Sequence, residues 1–355
     1  MTQLLEARSK ECATDCVASV AICIGTFNQA KYLGACIESA LAQNCPIESI
    51  WISDDASTDD TPESMEKICN LHPIVHYHRH PVNLGIAANL SWVLSQPSTE
   101  FIVRIDSDDL LEPDFVGTLV GLMRRYPDAG YAHGQVHEID SLGARKRIRS
   151  LHRSAIYESA EESLKRSAKG YRVAANCILY RTEALKAADY YHRNAGWKSA
   201  EDWDLCLRIA ILGWGNVYAA TPVASYRVWY DDSKTRLRRM IPEIEAVTKV
   251  YKGTLEPEYL KRGWSTSSLR SNMRKRALGF AAALDSSLFT QEERVICVAR
   301  LRELSNSYSL SFAILVAEEG FNPLIRSFKR AALKVKDFVK RSLRVFSVAR
   351  GPSRK

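Results

Sequence analysis

The chain has 355 residues, of which 46% are hydrophobic and 25% are charged, a balance typical of a soluble globular protein with one or two domains. This composition excludes a disordered chain and a small disulfide-stapled fold, and no apolar run is as long as a membrane span. The net charge of +8 is unevenly distributed. Residues 321–355 contain eleven Lys or Arg and one acid, Asp337, so residues 1–320 sum to −2.

The nine cysteines indicate a reducing compartment. Their number is odd, no CxxC pair occurs, and several fall at apolar positions, where a thiol behaves as a small hydrophobe. Residues 1–16 mix charges of both signs and contain no apolar segment of the kind found in secretory leaders. We therefore expect a cytoplasmic protein in which residues 1–16 are an N-terminal extension.

The first part of the chain alternates predicted strands and helices. Strands are predicted at 17–24, 50–52, 75–78 and 101–105, and helices at 33–41, 61–69, 86–95 and 115–123, with Thr61 as the N-cap of the second helix. Repeated strand-helix-strand units predict an α/β domain over 17–233, with a mostly parallel central sheet and helices on both faces. Strand patterns end there, so we expect a helical extension over 234–320.

Polar residues follow three of these strands. Thr26 follows the first strand, Asp54 and Asp55 follow the second, and the segment 106–109 follows the fourth. In open α/β sheets the ligand site lies beyond the carboxyl ends of the strands. The sequence therefore predicts an acidic crevice at one edge of the sheet.

Asp106 and Asp108 have the chemistry of a hard-cation site. Two carboxylates at alternate positions suit Mg²⁺ or Mn²⁺, which complete their shells with water and substrate phosphates. The chain has no GxxxxGK[ST] or GxGxxG loop to hold a diphosphate, so a carboxylate-bound metal would replace it. Asp-rich turns after strands are also common as solvated caps of the next helix, and both readings remain open from this motif alone.

Five segments together resemble glycosyltransferase family 2. They are IGTFN at 24–28, DDASTDDT at 54–61, NLGIA at 83–87, RIDSDD at 104–109 and EDWDL at 201–205. Their order and spacing match that family over roughly residues 17–230. The resemblance implies the GT-A fold, a Rossmann-like α/β fold, and an inverting, nucleotide-sugar-dependent enzyme.

The resemblance implies a donor site at the first and second strands. Asp55 would hydrogen-bond the nucleotide base, Gly25 and Thr26 would line the base and ribose pocket, and Phe27 would stack there. Asp106 would contribute to donor binding through the metal. Many family members have proline or a hydroxyl residue where this chain has Gly25.

The resemblance also implies a metal site and a general base. Asp106 and Asp108 would form the DxD motif that holds a divalent cation, Mn²⁺ or Mg²⁺, with Asp108 the more direct ligand. Asp202 would be the base that deprotonates the acceptor. Without the other motifs, Glu201 and Asp202 could equally cap the helix that the apolar pattern after them predicts.

These features predict an inverting glycosyltransferase that uses a nucleotide sugar, with UDP favoured, and a saccharide or lipid-linked saccharide acceptor, in surface polysaccharide or glycolipid synthesis. A nucleotidyltransferase would also build a metal site on an α/β sheet, but it would need a Gly- and Lys/Arg-rich loop that residues 25–30 do not provide. A nucleic-acid-binding protein would need aromatic side chains exposed among the basic residues of the tail, and we expect no nucleic-acid partner.

The basic segment 321–355 is predicted to form an amphipathic helix. Its apolar stripe recurs at spacings of three or four residues and consists of Ile325, Phe328, Ala332, Val335, Val339, Leu343 and Phe346. Such a helix either packs on the protein body or lies in the plane of an anionic membrane surface. Lipid-linked acceptors favour the second reading, in which the enzyme is peripheral at the inner face of the cell membrane.

Overall fold

The structure, a computed structural model, describes residues 18–151, 153, 155–194, 196–197, 199–229, 233–284 and 289–318. The predicted N-terminal extension and the predicted basic helix at 321–355 lie outside these residues. Within the described part of the chain, no helix combines the length and apolar character needed to span a membrane.

A mixed sheet of ten strands forms the centre of the fold. In spatial order eight strands run β3-β2-β1-β4-β9-β6-β10-β5, while β7 pairs with β6 and β8 pairs with β10. The strands are β1 (Val20–Thr26), β2 (Ser49–Asp54), β3 (Val75–Arg79), β4 (Phe101–Asp106), β5 (Leu110–Leu111), β6 (Ala129–Ile139), β7 (Arg145–Arg149), β8 (Tyr157–Glu158), β9 (Ile178–Arg181) and β10 (Gly215–Arg227). Strands β3, β2, β1 and β4 are parallel, and β9 is antiparallel to both β4 and β6.

The helices confirm the alternating pattern in the first part of the chain and the helical character of the second. They are α1 (Ala30–Leu41), α2 (Thr61–Leu71), α3 (Ile86–Leu94), α4 (Phe115–Arg125), α5 (Ala160–Ser167), α6 (Thr182–Ala187), α7 (Glu201–Ile211), α8 (Ser233–Thr248), α9 (Glu256–Lys261), α10 (Ser267–Ala281), α11 (Gln291–Leu304) and α12 (Tyr308–Glu318). A π-helical segment, Lys249–Leu255, connects α8 to α9.

Strand β1 is buried on both faces because helices cover both sides of the sheet. Side chains alternate between faces along a strand. Ile22 and Ile24 therefore join one core with α1 and α4, whereas Cys23 joins a second core with α3 and α7. This double burial explains why the strand reads as a continuous apolar run rather than an alternating one.

Most predicted boundaries move by a few residues in the structure, and two of the changes have a clear local cause. Strand β1 extends to Thr26, two residues beyond the predicted end, because Gly25 and Thr26 still pair with neighbouring strands. Thr61 is the first residue of α2 rather than its N-cap, which is Asp60. The carboxylate of Asp59 takes the capping role locally, since it accepts hydrogen bonds from both the Thr61 amide and the Thr61 hydroxyl.

The described residues group into two compact units. One comprises those of Met1–Asp231 and Ala246–Leu269, and the other those of Asp232–Glu245 and Arg270–Lys355. Residues 246–269 thus group with the sheet, whereas the sequence analysis assigned them to the helical extension. Tyr251 ties them there by donating its hydroxyl to the carbonyl of Ala168 at 2.8 Å.

The second unit contains a small helical core. Its buried side chains come from α10, α11 and α12 and include Met273, Ala277, Cys297, Leu301, Leu304, Leu310 and Ile314. Arg300 pairs with Glu245 at 2.7 Å and with Glu303 at 2.8 Å on its surface. The part of the chain described beyond Arg227 contains no strand.

A substitution at Gly130 of β6 tests how tightly the side chains pack against the sheet. A Cβ there would lie 2.6 Å from Cγ2 of Ile209 and 2.7 Å from Cβ of Trp214, both in the core behind the sheet. We expect Gly130→Ala to lower the free energy of unfolding by about 1–3 kcal/mol, the usual cost of overpacking.

Gly121 provides the matched control. It lies on the exposed face of α4, and a Cβ there would meet no atom within 4 Å. Gly121→Ala should raise the free energy of unfolding by about 0.5–1 kcal/mol, because alanine is the better helix former. Urea denaturation measures both variants, and equal stabilities would contradict the packing described.

Candidate active site

Three strand ends meet at one edge of the sheet, as the sequence predicts. Strand β1 lies between β2 and β4, with Thr26 opposite Asp54 and Gly25 opposite Asp106. All three strands are parallel, so their carboxyl ends point the same way. The polar residues that follow them therefore lie together at this edge, which we call the strand-end site.

Asp54 serves the loop that follows β2. Its carboxylate is fully buried, with Oδ1 accepting from the Ser57 amide at 2.8 Å and Oδ2 from the Tyr77 hydroxyl at 2.6 Å. Burial and the hydrogen bond to Asp54 raise the pKa of Tyr77, so the phenol stays a donor. Asp54 therefore shapes the floor of the site.

Asp55 ties the second strand to the segment before α3. Its Oδ1 accepts from the Leu84 amide at 2.6 Å and its Oδ2 from the Gly85 amide at 3.0 Å. Its own amide donates to the carbonyl of Thr26 at 2.9 Å. Each carboxylate oxygen keeps a second lone pair. The predicted contact with a nucleotide base would use these, and it remains a prediction.

The residues predicted to surround the base and ribose lie at the end of β1. A Cβ at Gly25 would come within 2.9 Å of Cδ2 of Leu90, so a larger residue would require the Leu90 side chain to move. The buried hydroxyl of Thr26 has no hydrogen-bond partner among the described residues. The ring of Phe27 is 46% exposed and is thus accessible for stacking.

The two DxD carboxylates have different partners. Asp106 forms a two-point contact with Arg104, at 2.9 Å from Nη2 to Oδ1 and 3.3 Å from Nη1 to Oδ2. Asp108 Oδ2 accepts from the indole N–H of Trp229 at 2.7 Å. Burial raises the pKa of Asp106 to about 6, with the Arg104 cation opposing this and the Asp202 anion adding to it.

Asp109 is a structural acid rather than a third member of the motif. It is buried, and its Oδ1 accepts from the backbone amide of Arg227 at 2.8 Å. The Arg227 guanidinium in turn donates to the carbonyl of Asp108 at 2.8 Å. The end of β10 thereby fixes the loop that carries Asp106 and Asp108.

The donor set of this loop fits a hard divalent cation that is completed by ligand oxygens. Asp106 and Asp108 supply two carboxylates, and Mg²⁺ and Mn²⁺ sites commonly use one or two together with substrate phosphates. Within the described residues, no three His, Cys, Asp or Glu side chains are arranged as a self-sufficient metal site. The chemistry therefore suits a metal that binds together with a phosphorylated ligand.

Asp202 reaches the same site from helix α7. It lies in the first turn, is 5% exposed, and accepts a hydrogen bond from the Tyr191 hydroxyl at 2.5 Å. Its Oδ2 lies 3.7 Å from Nη2 of Arg104. The N-cap is Ala200, with no side-chain capping bond, so the alternative role of Asp202 as a helix cap does not apply.

Asp204 has a purely internal role. It is fully buried and receives hydrogen bonds from Arg208 at 2.9 Å, Asn194 at 3.1 Å and Thr254 at 2.6 Å. Two acids of the 201–205 motif thus have different roles. Asp202 faces the strand-end site, and Asp204 holds α7 to the π-helical segment.

Glu201 is a site residue whose environment the sequence analysis missed. It is 7% exposed and its Oε2 has no hydrogen-bond partner among the described residues. Burial, and then the neighbouring Asp202 anion, raise its pKa to about 7.

Arg104 and Tyr191 were also missed. The available signal for Arg104 was a charged residue inside the apolar run of β4, because a buried cation needs a partner. Tyr191 left no comparable signal, since its contact with Asp202 depends on tertiary packing.

The geometry can be compared with known proteins. Residues 21–188 match the family model described as glycosyl transferase family 2. The chain carries a glycosyltransferase family 2 domain. Strands β1 to β4, Asp55, Asp106 and Asp108 fall inside the matched residues, and Asp202 follows them.

Relatives and solved structures agree with this assignment. Hyaluronan synthase of Pasteurella multocida is 38% identical over 100 residues, which are 28% of this chain and 10% of that protein. The chain therefore matches only about a tenth of that relative's length.

Two solved structures share the fold of the whole domain. The 1–349 fragment of S. aureus TarS, in complex with UDP-GlcNAc, has a TM-score of 0.54 at 17% identity, covering 88% of this chain and 92% of the fragment. Mannosyltransferase PcManGT from Pyrobaculum calidifontis, in complex with GDP-Man and Mn²⁺, has a TM-score of 0.51 at 16% identity, covering 92% and 94%. The expected GT-A fold is confirmed.

The raised pKa of Glu201 predicts a pH-dependent stability. The folded protein holds the Glu201 proton up to about pH 7, whereas the unfolded chain releases it near the ordinary value of 4.5. The stabilising contribution of Glu201 is therefore full below pH 4.5 and is lost as the pH rises towards 7. Glu201→Gln, which cannot ionise, should melt at a temperature roughly 3–6 °C above wild type at pH 8.

Thermal unfolding in EDTA from pH 4.5 to pH 8.5 measures this difference. The two proteins should melt within about 1 °C of each other at the acidic end, where neither carries the Glu201 charge. The exposed residue Glu48 gives the control, since Glu48→Gln should show no pH-dependent difference. A constant offset between wild type and Glu201→Gln at every pH would contradict the account.

Proposed function

We propose that this chain is an inverting glycosyltransferase that moves a sugar from a nucleotide-sugar donor to an acceptor hydroxyl. One observation carries the proposal. In a glycosyltransferase family 2 domain, the carboxylates of Asp106 and Asp202 come from a strand end and a helix start and face the same buried guanidinium of Arg104. The candidate metal ligand on the donor side and the candidate base on the acceptor side thus lie next to each other.

Asp106 and Asp108 would hold a divalent cation, Mn²⁺ or Mg²⁺. When bound, such an ion neutralises charge that develops on a leaving diphosphate. The exposed ring of Phe27 and the unpartnered hydroxyl of Thr26 would contact the nucleoside, and the Asp55 lone pairs would accept from the base.

Asp202 would accept the proton of the acceptor hydroxyl as that oxygen attacks the anomeric carbon. The Tyr191 hydroxyl and the Arg104 cation orient its carboxylate from two sides. Glu201 keeps its proton below about pH 7 and is therefore not available as a base at acidic pH. One candidate base, with no carboxylate assigned as a nucleophile, supports a single in-line displacement with inversion.

The donor would be a nucleoside diphosphate sugar, and UDP remains our first choice. Among the similar structures, TarS holds UDP-GlcNAc and PcManGT holds GDP-Man, so the fold accommodates either nucleotide. The similarity to a hyaluronan synthase supports a saccharide acceptor in polysaccharide synthesis. No observation in the described residues favours a nucleotidyltransferase.

The metal ligands can be tested by Asp108→Asn. We expect this variant to lose transfer and to bind the nucleotide sugar more weakly, because one ligand of the bridging cation loses its charge. Wild-type activity should disappear in EDTA and return with Mn²⁺ or Mg²⁺. Asp60→Asn is the control, since Asp60 is exposed and makes no capping bond. Full wild-type activity in EDTA would refute the metal site.

The base can be tested by Asp202→Asn. This change should leave donor binding nearly unchanged and lower kcat by roughly 10²–10⁴-fold, the usual contribution of general-base catalysis. Calorimetry with Mn²⁺ and release of nucleoside diphosphate measure the two quantities. A variant that turns over at the wild-type rate, or that binds no donor, would assign Asp202 a structural role.

We also propose that residues 321–355 bind anionic membrane surfaces and keep a cytoplasmic enzyme near lipid-linked acceptors. The support is the sequence pattern, in which an apolar stripe lies among eleven basic residues, each worth about 1 kcal/mol near such a surface. Deleting 321–355 should release the protein from phosphatidylserine vesicles in a sedimentation assay at low salt. Full-length protein that stays in the supernatant at low salt would rule out membrane binding.

A further inference from the structure

Arg104 is a buried cation in the middle of a sheet strand. It lies on β4 opposite Cys23 of β1 and Ile178 of β9, and it is 1% exposed. Taking a guanidinium out of water is costly unless its hydrogen bonds and charge are matched by partners. This costly burial occurs next to the candidate catalytic acids.

The partners of Arg104 come from three different segments. Its Nη1 donates to the carbonyl of Asn176 at 2.9 Å, and Nη1 and Nη2 together contact both oxygens of Asp106. The same Nη2 faces Oδ2 of Asp202 at 3.7 Å. One nitrogen is therefore shared between the carboxylate on the donor side and the carboxylate on the acceptor side.

The shared guanidinium sets the relative position of two carboxylates that are far apart in the sequence. Asp106 ends β4, whereas Asp202 lies in the first turn of α7. Both anions are oriented by one planar group, whose fork geometry a lysine ammonium lacks. The Tyr191 hydroxyl holds the other oxygen of Asp202, so Arg104 and Tyr191 together set the direction of that carboxylate.

We infer that Arg104 is a positioning residue, which aligns the Asp202 base with the donor held at Asp106 and thereby raises the rate of transfer. This inference rests on the proposed glycosyl transfer. Arg104 is 1% exposed, and it therefore acts through Asp202. It is consequently required for turnover more than for donor affinity.

A double-mutant cycle tests the inference. The proteins are wild type, Arg104→Lys, Asp202→Asn and the double variant, assayed with UDP-GlcNAc, UDP-glucose and GDP-mannose in Mn²⁺ by release of nucleoside diphosphate. Arg104→Lys should lower kcat by roughly 10–100-fold and change the donor KM by less than about threefold. In the Asp202→Asn background the same change should cost less than about twofold, because the group it positions is already absent.

The control is Arg181→Lys. Arg181 is a second arginine of the same sheet and is half-buried on neighbouring β9. Its guanidinium donates to the backbone carbonyls of Ala129 and Met123 rather than to Asp106 or Asp202. Its kcat should stay within about twofold of wild type. Thermal unfolding of every variant separates loss of alignment from loss of folding.

Each outcome decides one question. Equal losses of kcat for Arg104→Lys in both backgrounds would show that Arg104 acts independently of Asp202 and would overturn the inference. So would a rise in KM at unchanged kcat, or loss of the folded state in Arg104→Lys, which would make the residue structural. Wild-type protein that turns over none of the donors would instead count against the proposed function.

Discussion

The burial of several carboxylates at one end of a parallel sheet is the constraint on which the rest of this structure depends. Like charges so close together repel, and burial adds a desolvation cost. The fold meets that cost with backbone amides, phenol hydroxyls and buried cations, among them Arg104, which contacts Asp106 and faces Asp202. Where these partners are incomplete, as at Glu201, the carboxyl group keeps its proton to a higher pH.

The acids in and around the strand-end site fall into two groups by their partners. Asp54, Asp109 and Asp204 are buried and bonded to backbone or side-chain donors of the fold, so they hold loops and helices in place. Asp108 is half-buried, and among the described residues its carboxylate accepts a hydrogen bond from the exposed Trp229 through Oδ2. The first group builds the scaffold, and the second leaves carboxylate oxygens where a cation or substrate can reach them. A rigid scaffold of this kind suits catalysis, which depends on orientation.

Much of the fold was predictable because local patterns and global topology agree. The apolar runs at β1 and β4, and the helical periodicity between them, specify a parallel sheet, and its strand ends necessarily bring the Asp-containing loops together. The roles within the 201–205 motif were not predictable, since Asp202 and Asp204 both lie in the first turn of α7. Their difference comes from Tyr191 and Thr254, which reach them only through tertiary packing. The grouping of 246–269 with the sheet unit depends on similar long-range contacts.

The central claim is that the strand-end site binds a nucleotide sugar through a carboxylate-bound cation. The most direct measurement is the melting temperature of the wild-type protein with a panel of nucleotide sugars, each in Mn²⁺ and in EDTA. A ligand that binds only the folded state at a concentration of 100 times its Kd stabilises it by about 2.7 kcal/mol. We expect at least one nucleotide sugar to raise the melting temperature in Mn²⁺ and to have no effect in EDTA. Shifts of equal size in EDTA, or no shift with any nucleotide sugar, would contradict this account.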